Sequence, residues 1–223
     1  MYRTSLMSFI GFVLLIFDVQ SSKAAIYNLP PTDDSYVYQV NSGDNYNSSS
    51  LLSSTLHYTY FKFSLNEIPN TDTIVSAYLE LFCYDRDFVQ SHVLQYVPDD
   101  KGWSQTTIDW NNKPDASADF QSRSAHHNED NRWYLYLNVW DYAADLSDDD
   151  NLLSLRLKGL SDSKPSYFYS MDAMGEVPSH WLPCLHLETT PVPIPGAVWL
   201  LASGFVGLLT LRNKFRDKTL IRI

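Results

Sequence analysis

Ile74-Val75-Ser76-Ala77-Tyr78-Leu79-Glu80-Leu81-Phe82-Cys83-Tyr84 is the stretch on which the fold turns. From Ala77 onward Ala77, Leu79, Leu81 and Cys83 fall on one side of an extended chain, and Tyr78, Glu80, Phe82 and Tyr84 on the other. A period of two is that of a β-strand, and the wholly apolar side marks a face turned to a core. The other side mixes rings with a carboxylate. Such a strand either lies between two layers or bears an aromatic stripe on the surface, and the first arrangement is the commoner in all-β domains.

Outward from this stretch, further short runs carry strand signals and are bounded by clusters of Asn, Asp, Ser and Pro. They are Ser35 to Val40, Tyr58 to Leu65, Ser91 to Val97, Trp133 to Val139, Leu152 to Leu157, Tyr167 to Ser170 and Leu182 to Leu187. About eight strands with one apolar side each predict an all-β sandwich. One helical spacing interrupts them: Val139, Tyr142, Ala143 and Leu146 predict a crossing helix from Val139 to Leu146.

The chain has 223 residues, 14% of them aromatic, with 15 Tyr. That length accommodates one folded body plus targeting segments. The formal charge of −10 is unevenly spread: the leader bears +1, the tail +4, and the body −15, with nine Lys and Arg residues. An acidic body repels phosphate backbones, which excludes nucleic acid as a partner and leaves cations and sugars. An anionic polysaccharide would require a local cationic patch or a bridging Ca²⁺, and clustering of Arg123 and Arg132 with Trp133 would supply the patch.

The two ends carry export signals. Arg3 precedes an apolar run from Phe9 to Phe17, and Ser22-Lys23-Ala24 offers small residues to a signal peptidase, so residues 1–24 read as a signal peptide cut near Ala24. At the other end no charged residue lies between Glu188 and Arg212. Residues 196–211 read as a transmembrane helix, and Arg212, Lys214, Arg216 and Lys218 in the basic tail 212–223 would hold the terminus in the cytoplasm. Residues 25–188 are then the body and 189–195 a linker.

Val192-Pro193-Ile194-Pro195, followed by an apolar helix and a basic end, resembles a PEP-CTERM sorting signal. The resemblance implies recognition by an exosortase, transient anchoring in the inner membrane, and delivery to the cell envelope or extracellular matrix. Ile194 stands where the name-giving motif has Glu.

The body carries a second resemblance. Asp34-Ser35-Tyr36-Val37-Tyr38, Asn45 to Leu51, Tyr60 to Pro69, Ile74 to Leu81 and, above all, Trp103-Ser104-Gln105-Thr106-Thr107-Ile108-Asp109-Trp110-Asn111-Asn112-Lys113-Pro114 follow one another as in DNRLRE-type domains. This similarity implies a jelly-roll β-sandwich grouped with carbohydrate-binding modules, and extracellular polysaccharide as its partner. Jelly rolls of this kind also imply a structural Ca²⁺ near the first strand, for which Asp33 and Asp34 offer hard oxygen ligands. Asp148, Asp149 and Asp150 offer the same atoms, or a solvated turn.

Among candidate sugar-stacking residues, Trp133, Tyr134, Tyr136 and Trp140 with Arg132 are the foremost, because alternation leaves Trp133 or Tyr134 facing outward. Trp103 and Trp110 are expected in the core. His126-His127 beside Asn128, Glu129 and Asp130 lacks metal-ligand spacing, and no Gly-x-Ser-x-Gly turn is present, so no catalytic residue is assigned. Cys83 and Cys184 either form one disulfide in an oxidising compartment or remain two buried thiols. The expected function is non-enzymatic polysaccharide binding. A structural matrix protein is the alternative, and a polysaccharide lyase or hydrolase stands third.

Overall fold

In the computed structural model the stretch around Ala77 is one strand of twelve. The structure describes residues 24–70, 72–84, 91–98, 102–117, 121–124, 126–127, 133–139, 151–161, 164–191 and 204. Residues 23–190 form one compact unit. Its strands are β1 (Ala25–Leu29), β2 (Asp33–Tyr38), β3 (Ser50–Ser53), β4 (His57–Ser64), β5 (Asp72–Cys83), β6 (Ser91–Tyr96), β7 (Gln121–Ser124), β8 (His126–His127), β9 (Trp133–Asn138), β10 (Leu152–Gly159), β11 (Ser166–Tyr169) and β12 (Cys184–Pro191).

They pair into two antiparallel sheets. One has five strands in the order β2-β4-β10-β6-β7; the other has seven, with the path β1-β12-β5-β11-β3 and with β9 and β8 branching from β5. Cys83 faces Trp133 of β9 on one flank and Phe168 of β11 on the other. The sequence predicts about eight strands; β1, β3, β7 and β8 are additional. They are two to five residues long, too short for alternation to stand out from flanking polar loops. The predicted strand at Leu182 begins later, at Cys184, because Ser179–Trp181 forms a 3-10 turn.

Alternation builds the core between the sheets. Ala77, Leu79, Leu81 and Cys83 of β5 meet Leu135 and Leu137 of β9, Phe61 and Phe63 of β4, and Leu153, Leu155 and Leu157 of β10. The outward side of β5 divides between the two expected arrangements: Tyr78 is exposed and Glu80 partly so, whereas Phe82 is buried beneath Trp181.

Cys83 lies in this core, while Cys184 has the parity of His186 and Glu188 on the outer side of β12. The two thiols are free, and a disulfide cannot form between residues that point to opposite faces of one sheet. Of the two alternatives for the cysteines the structure takes the thiols, although Cys184 is half-buried rather than buried.

Asp34 ties the sandwich together at one end. Its carboxylate, 1% exposed, accepts a hydrogen bond from Ser170 Oγ at 2.6 Å and another from the Met171 amide at 2.9 Å. It thereby holds β2 to the 3-10 turn Met171–Ala173 that follows β11. Gly175, at φ +90°, then turns the chain toward Trp181 in a conformation open to glycine. Burial raises the Asp34 pKa to about 6, against the opposing effect of the two hydrogen bonds.

Residues 1–23 and the segment after Pro191, apart from Gly204, lie outside the described residues. The expected signal peptide apart from Ala24, the expected sorting motif Val192 to Pro195, the expected helix 196–211 apart from Gly204, and the four cations of the tail therefore lie outside the described residues. Among the described residues no helix is long and apolar enough to cross a membrane. The expected helix from Val139 also lies outside, except Val139 itself, which is buried and donates to the Ala77 carbonyl at 3.0 Å.

Two outcomes follow. The raised Asp34 pKa means that the folded protein holds this proton more tightly than the unfolded chain, so the contribution is fully present below about pH 3.8 and lost as pH rises to about 6. Urea unfolding should therefore show wild type gaining about 2 kcal/mol on Asp34→Asn between pH 7 and pH 4; a flat difference would refute the assignment. Thiol titration in denaturant without reductant should count two thiols per chain, and Cys184→Ser should leave the melting temperature unchanged.

Candidate functional site

The five-stranded sheet turns Tyr58, Tyr60 and Lys62 of β4 outward, alternating with inward Phe61 and Phe63. On β10, Ser154, Arg156 and Lys158 do the same between Leu153, Leu155 and Leu157. The register sets Ser154 against Lys62, Arg156 against Tyr60, and Lys158 against Tyr58. Antiparallel pairing thus gathers the cations of both central strands on one face.

The segment 102–117 crosses one end of that face. Trp103, Ile108, Val37, Tyr60 and Val97 form a second small core there. Trp103 donates from Nε1 to Ser154 Oγ at 3.3 Å. Its carbonyl accepts from Lys62 Nζ, which also sits 4.6 Å from the indole centroid. The expectation that Trp103 packs in the core holds, and Trp110 is partly buried against the same cluster.

The Thr107-to-Lys113 turn is closed by its own side chains. Asp109 Oδ1 accepts from the amides of Asn111 and Asn112 at 2.7 and 3.0 Å, and Asn112 returns bonds to the Asp109 amide and the Thr107 carbonyl. The side chains that complete these bonds are short and polar, as a tight turn requires. The turn sets Trp110 beside Tyr58, with ring centroids 4.7 Å apart.

Three cations surround this ring pair. Lys113 Nζ lies 4.3 Å from the Trp110 centroid; the Arg156 guanidinium carbon and Lys158 Nζ lie 4.9 and 5.6 Å from that of Tyr58. Arg156 is held by Nε donation to Gln95 Oε1 at 2.6 Å. Burial, aided by the nearby Arg156, lowers the Lys113 pKa. An ion pair does form elsewhere, between His186 and Glu80. Lys113 Nζ also donates to the Trp110 carbonyl at 2.8 Å and lies near the carboxylates of Asp115 and Asp109, so the cluster sets three cations together on a body of net charge −15.

The seven-stranded sheet presents a different surface. Phe82, Tyr134, Tyr136 and Tyr78 follow one another in ring contact, with centroid separations of 5.2, 6.0 and 5.9 Å. Trp181 covers Phe82 in a parallel stack at 4.7 Å. Beyond Tyr78 the imidazole of His186 stacks at 4.6 Å, with Nδ1 2.7 Å from Asn28 Oδ1 and Nε2 3.1 Å from Glu80 Oε2. The bond to Cys184, and then Glu80, raise the His186 pKa to about 9.

The expected sugar-stacking group is only partly described. Tyr134 is 5% exposed, beneath the rings of this outer face. Of Trp133 the structure describes the strand position, opposite Cys83 and His127; Arg132 and Trp140 lie outside the described residues, as do Asp148 to Asp150. Asp33 and Asp34 are both engaged within the protein. Asp33 Oδ1 accepts from the Gln105 amide at 3.0 Å, while Asp34 is committed to Ser170 and Met171. Among the described residues no three His, Cys, Asp or Glu side chains come together as a metal site.

Tyr58, Lys113, Arg156 and Lys158 are absent from the sequence-based candidates. Alternation alone puts Arg156 and Lys158 on one side of β10 and Tyr58 outward on β4. The missing signal is the pairing of two strands that lie about 90 residues apart in the chain.

A search of curated proteins returns no match to this chain. A protein-family model does match, over residues 25–182, from β1 through the second 3-10 turn. That span exceeds half of the 223 residues, and the two-sheet architecture is the one expected from the resemblance of the body. The chain belongs to carbohydrate-binding module family 96.

Proposed function

We propose that this protein is an exported envelope or matrix component whose sandwich holds an anionic polysaccharide, without cleaving it, at the Tyr58–Trp110 cluster. The observation that carries the reading is the gathering of Lys113, Arg156 and Lys158 around two half-buried rings on a body that is otherwise strongly acidic. A pyranose ring stacks its C–H face on an aromatic face, and carboxylate or sulfate substituents pair with cations at the rim. Carboxylates elsewhere on the body repel the same polymer, which confines it to the patch.

Export and sorting are supported by the ends of the sequence. The leader up to Ala24 is the substrate expected of a signal peptidase; the Val192-to-Pro195 motif, the apolar segment 196–211 and the cations from Arg212 to Lys218 are those expected of an exosortase. On this reading the inner membrane holds the chain transiently, and the body is delivered outward to polysaccharide. Intact-mass measurement of the exported protein should give a chain beginning at Ala25; an unprocessed N-terminus would remove the leader from the reading.

Affinity gel electrophoresis tests the binding. Polygalacturonate in the gel should retard the wild type, and Trp110→Ala and Lys158→Ala should each weaken binding roughly tenfold, as the loss of about 1.4 kcal/mol would. Retardation should fall as salt rises from 50 to 300 mM. Folded wild type that migrates unretarded in every anionic gel would leave a structural matrix role.

A further inference from the structure

The strand sequences sort lysine and arginine between the two sheets. β4, β7 and β10 of the five-stranded sheet contain Lys62, Arg123, Arg156 and Lys158; the seven strands of the other sheet contain no Lys or Arg. On the outer face of the latter, Glu80 and Glu188 lie amid rings. Tyr78 and Tyr136 are 37% and 39% exposed, a large share for rings in mid-strand, and Ile26 beside them is 75% exposed.

A shallow depression opens at this point, walled by Ile26, Ser76, Tyr78, His186 and Glu188. Its aromatic wall is immobilised. The His186 ring is stacked on Tyr78 and clamped between Asn28 and Glu80, so the site is formed before any ligand arrives.

We propose that this face is a second glycan site, for an uncharged pyranose polymer, and that the module bridges it to the anionic chain on the opposite sheet. The planes of Tyr78 and Tyr136 are inclined at 61°, so successive sugars of one chain lay their C–H faces on one ring each, and their hydroxyls donate to Glu188 and Glu80. The strands hold no Lys or Arg, and the His186 charge is taken up by Glu80, so the remaining carboxylate of Glu188 disfavours a polyuronate on this face by like-charge repulsion. A second copy of the chain is disfavoured by the same sign of charge, and by rings interrupted by polar groups where a protein interface of ~800 Å² per partner would need a continuous patch. The site itself is independent of the Tyr58–Trp110 assignment; the bridging role rests on it.

The test is affinity gel electrophoresis of the whole exported protein in four neutral polymers, laminarin, xyloglucan, galactomannan and dextran, beside polygalacturonate. At least one neutral gel should retard the wild type. Tyr78→Ala and Tyr136→Ala should weaken that retardation tenfold or more while leaving the polygalacturonate shift and the melting temperature unchanged; Lys158→Ala should do the reverse. Protein preloaded with the neutral polymer should still be captured on polygalacturonate beads. No retardation in any neutral gel overturns the second site, as does retardation indifferent to both tyrosines. Loss of both shifts in Lys158→Ala would show a single site. Tyr78-dependent self-association in sedimentation, without neutral-gel retardation, would assign the face to a second copy. If polygalacturonate fails while a neutral gel succeeds, the second site stands and the anionic reading falls.

Discussion

A buried ammonium organises one half of this molecule. Lys62 projects from the centre of β4 to the outer side of its sheet, where it is 7% exposed. Burying an unpaired cation in apolar surroundings costs several kcal/mol, and here the charge is met by the Trp103 carbonyl and the Trp103 ring together. The same contact draws the segment 102–117 across the sheet, closes the second core over Tyr60 and Val37, and leaves Trp110 standing at its rim. The Trp-rich motif therefore has two roles: its first indole is structural, and its second is placed by the first.

The cover is partial, and this distinguishes the two ends of the face. Lys62 and Tyr60 are enclosed, whereas Tyr58, Arg156 and Lys158, further along the same strands, remain half-buried. A cation over an aromatic face is stabilised by ~0.5–1 kcal/mol at exposed sites and by more when desolvated. Three such contacts around two rings hold the patch together despite mutual repulsion, and an approaching anion would relieve that repulsion. The strands of the opposite sheet hold no Lys or Arg; the imidazolium of His186 is paired with Glu80 and stacked on Tyr78, so Glu188 leaves that face acidic. One sandwich thus carries two aromatic surfaces of different electrostatic character.

The architecture was legible early because alternation along Ala77 to Cys83 and along Tyr58 to Leu65 is long enough to specify an inner face. The expected boundaries there fall within two residues of β5 and β4. Short pairing strands such as β3 were not legible, since Ser50-Leu51-Leu52-Ser53 reads as part of a Ser-rich loop until β11 pairs with it. The cysteines show the same limit: opposite parity on β5 and β12 separates them, and parity on β12 becomes visible once the strand is seen to start at Cys184.

By itself the sequence determined an all-β body with apolar inner faces, an acidic surface, a Trp-bearing turn and polar-capped loops, since each follows from residue type and local period. Tertiary structure alone decided which side chains form a surface. The pairing of Lys158 with Tyr58 and the stacking of His186 on Tyr78 join residues 100 or more positions apart, and sheet membership gathers every strand-borne Lys and Arg on one of the two sheets. Local periodicity specifies which way a side chain points from its strand; strand order and register, set by burying the whole core at once, specify what it points beside.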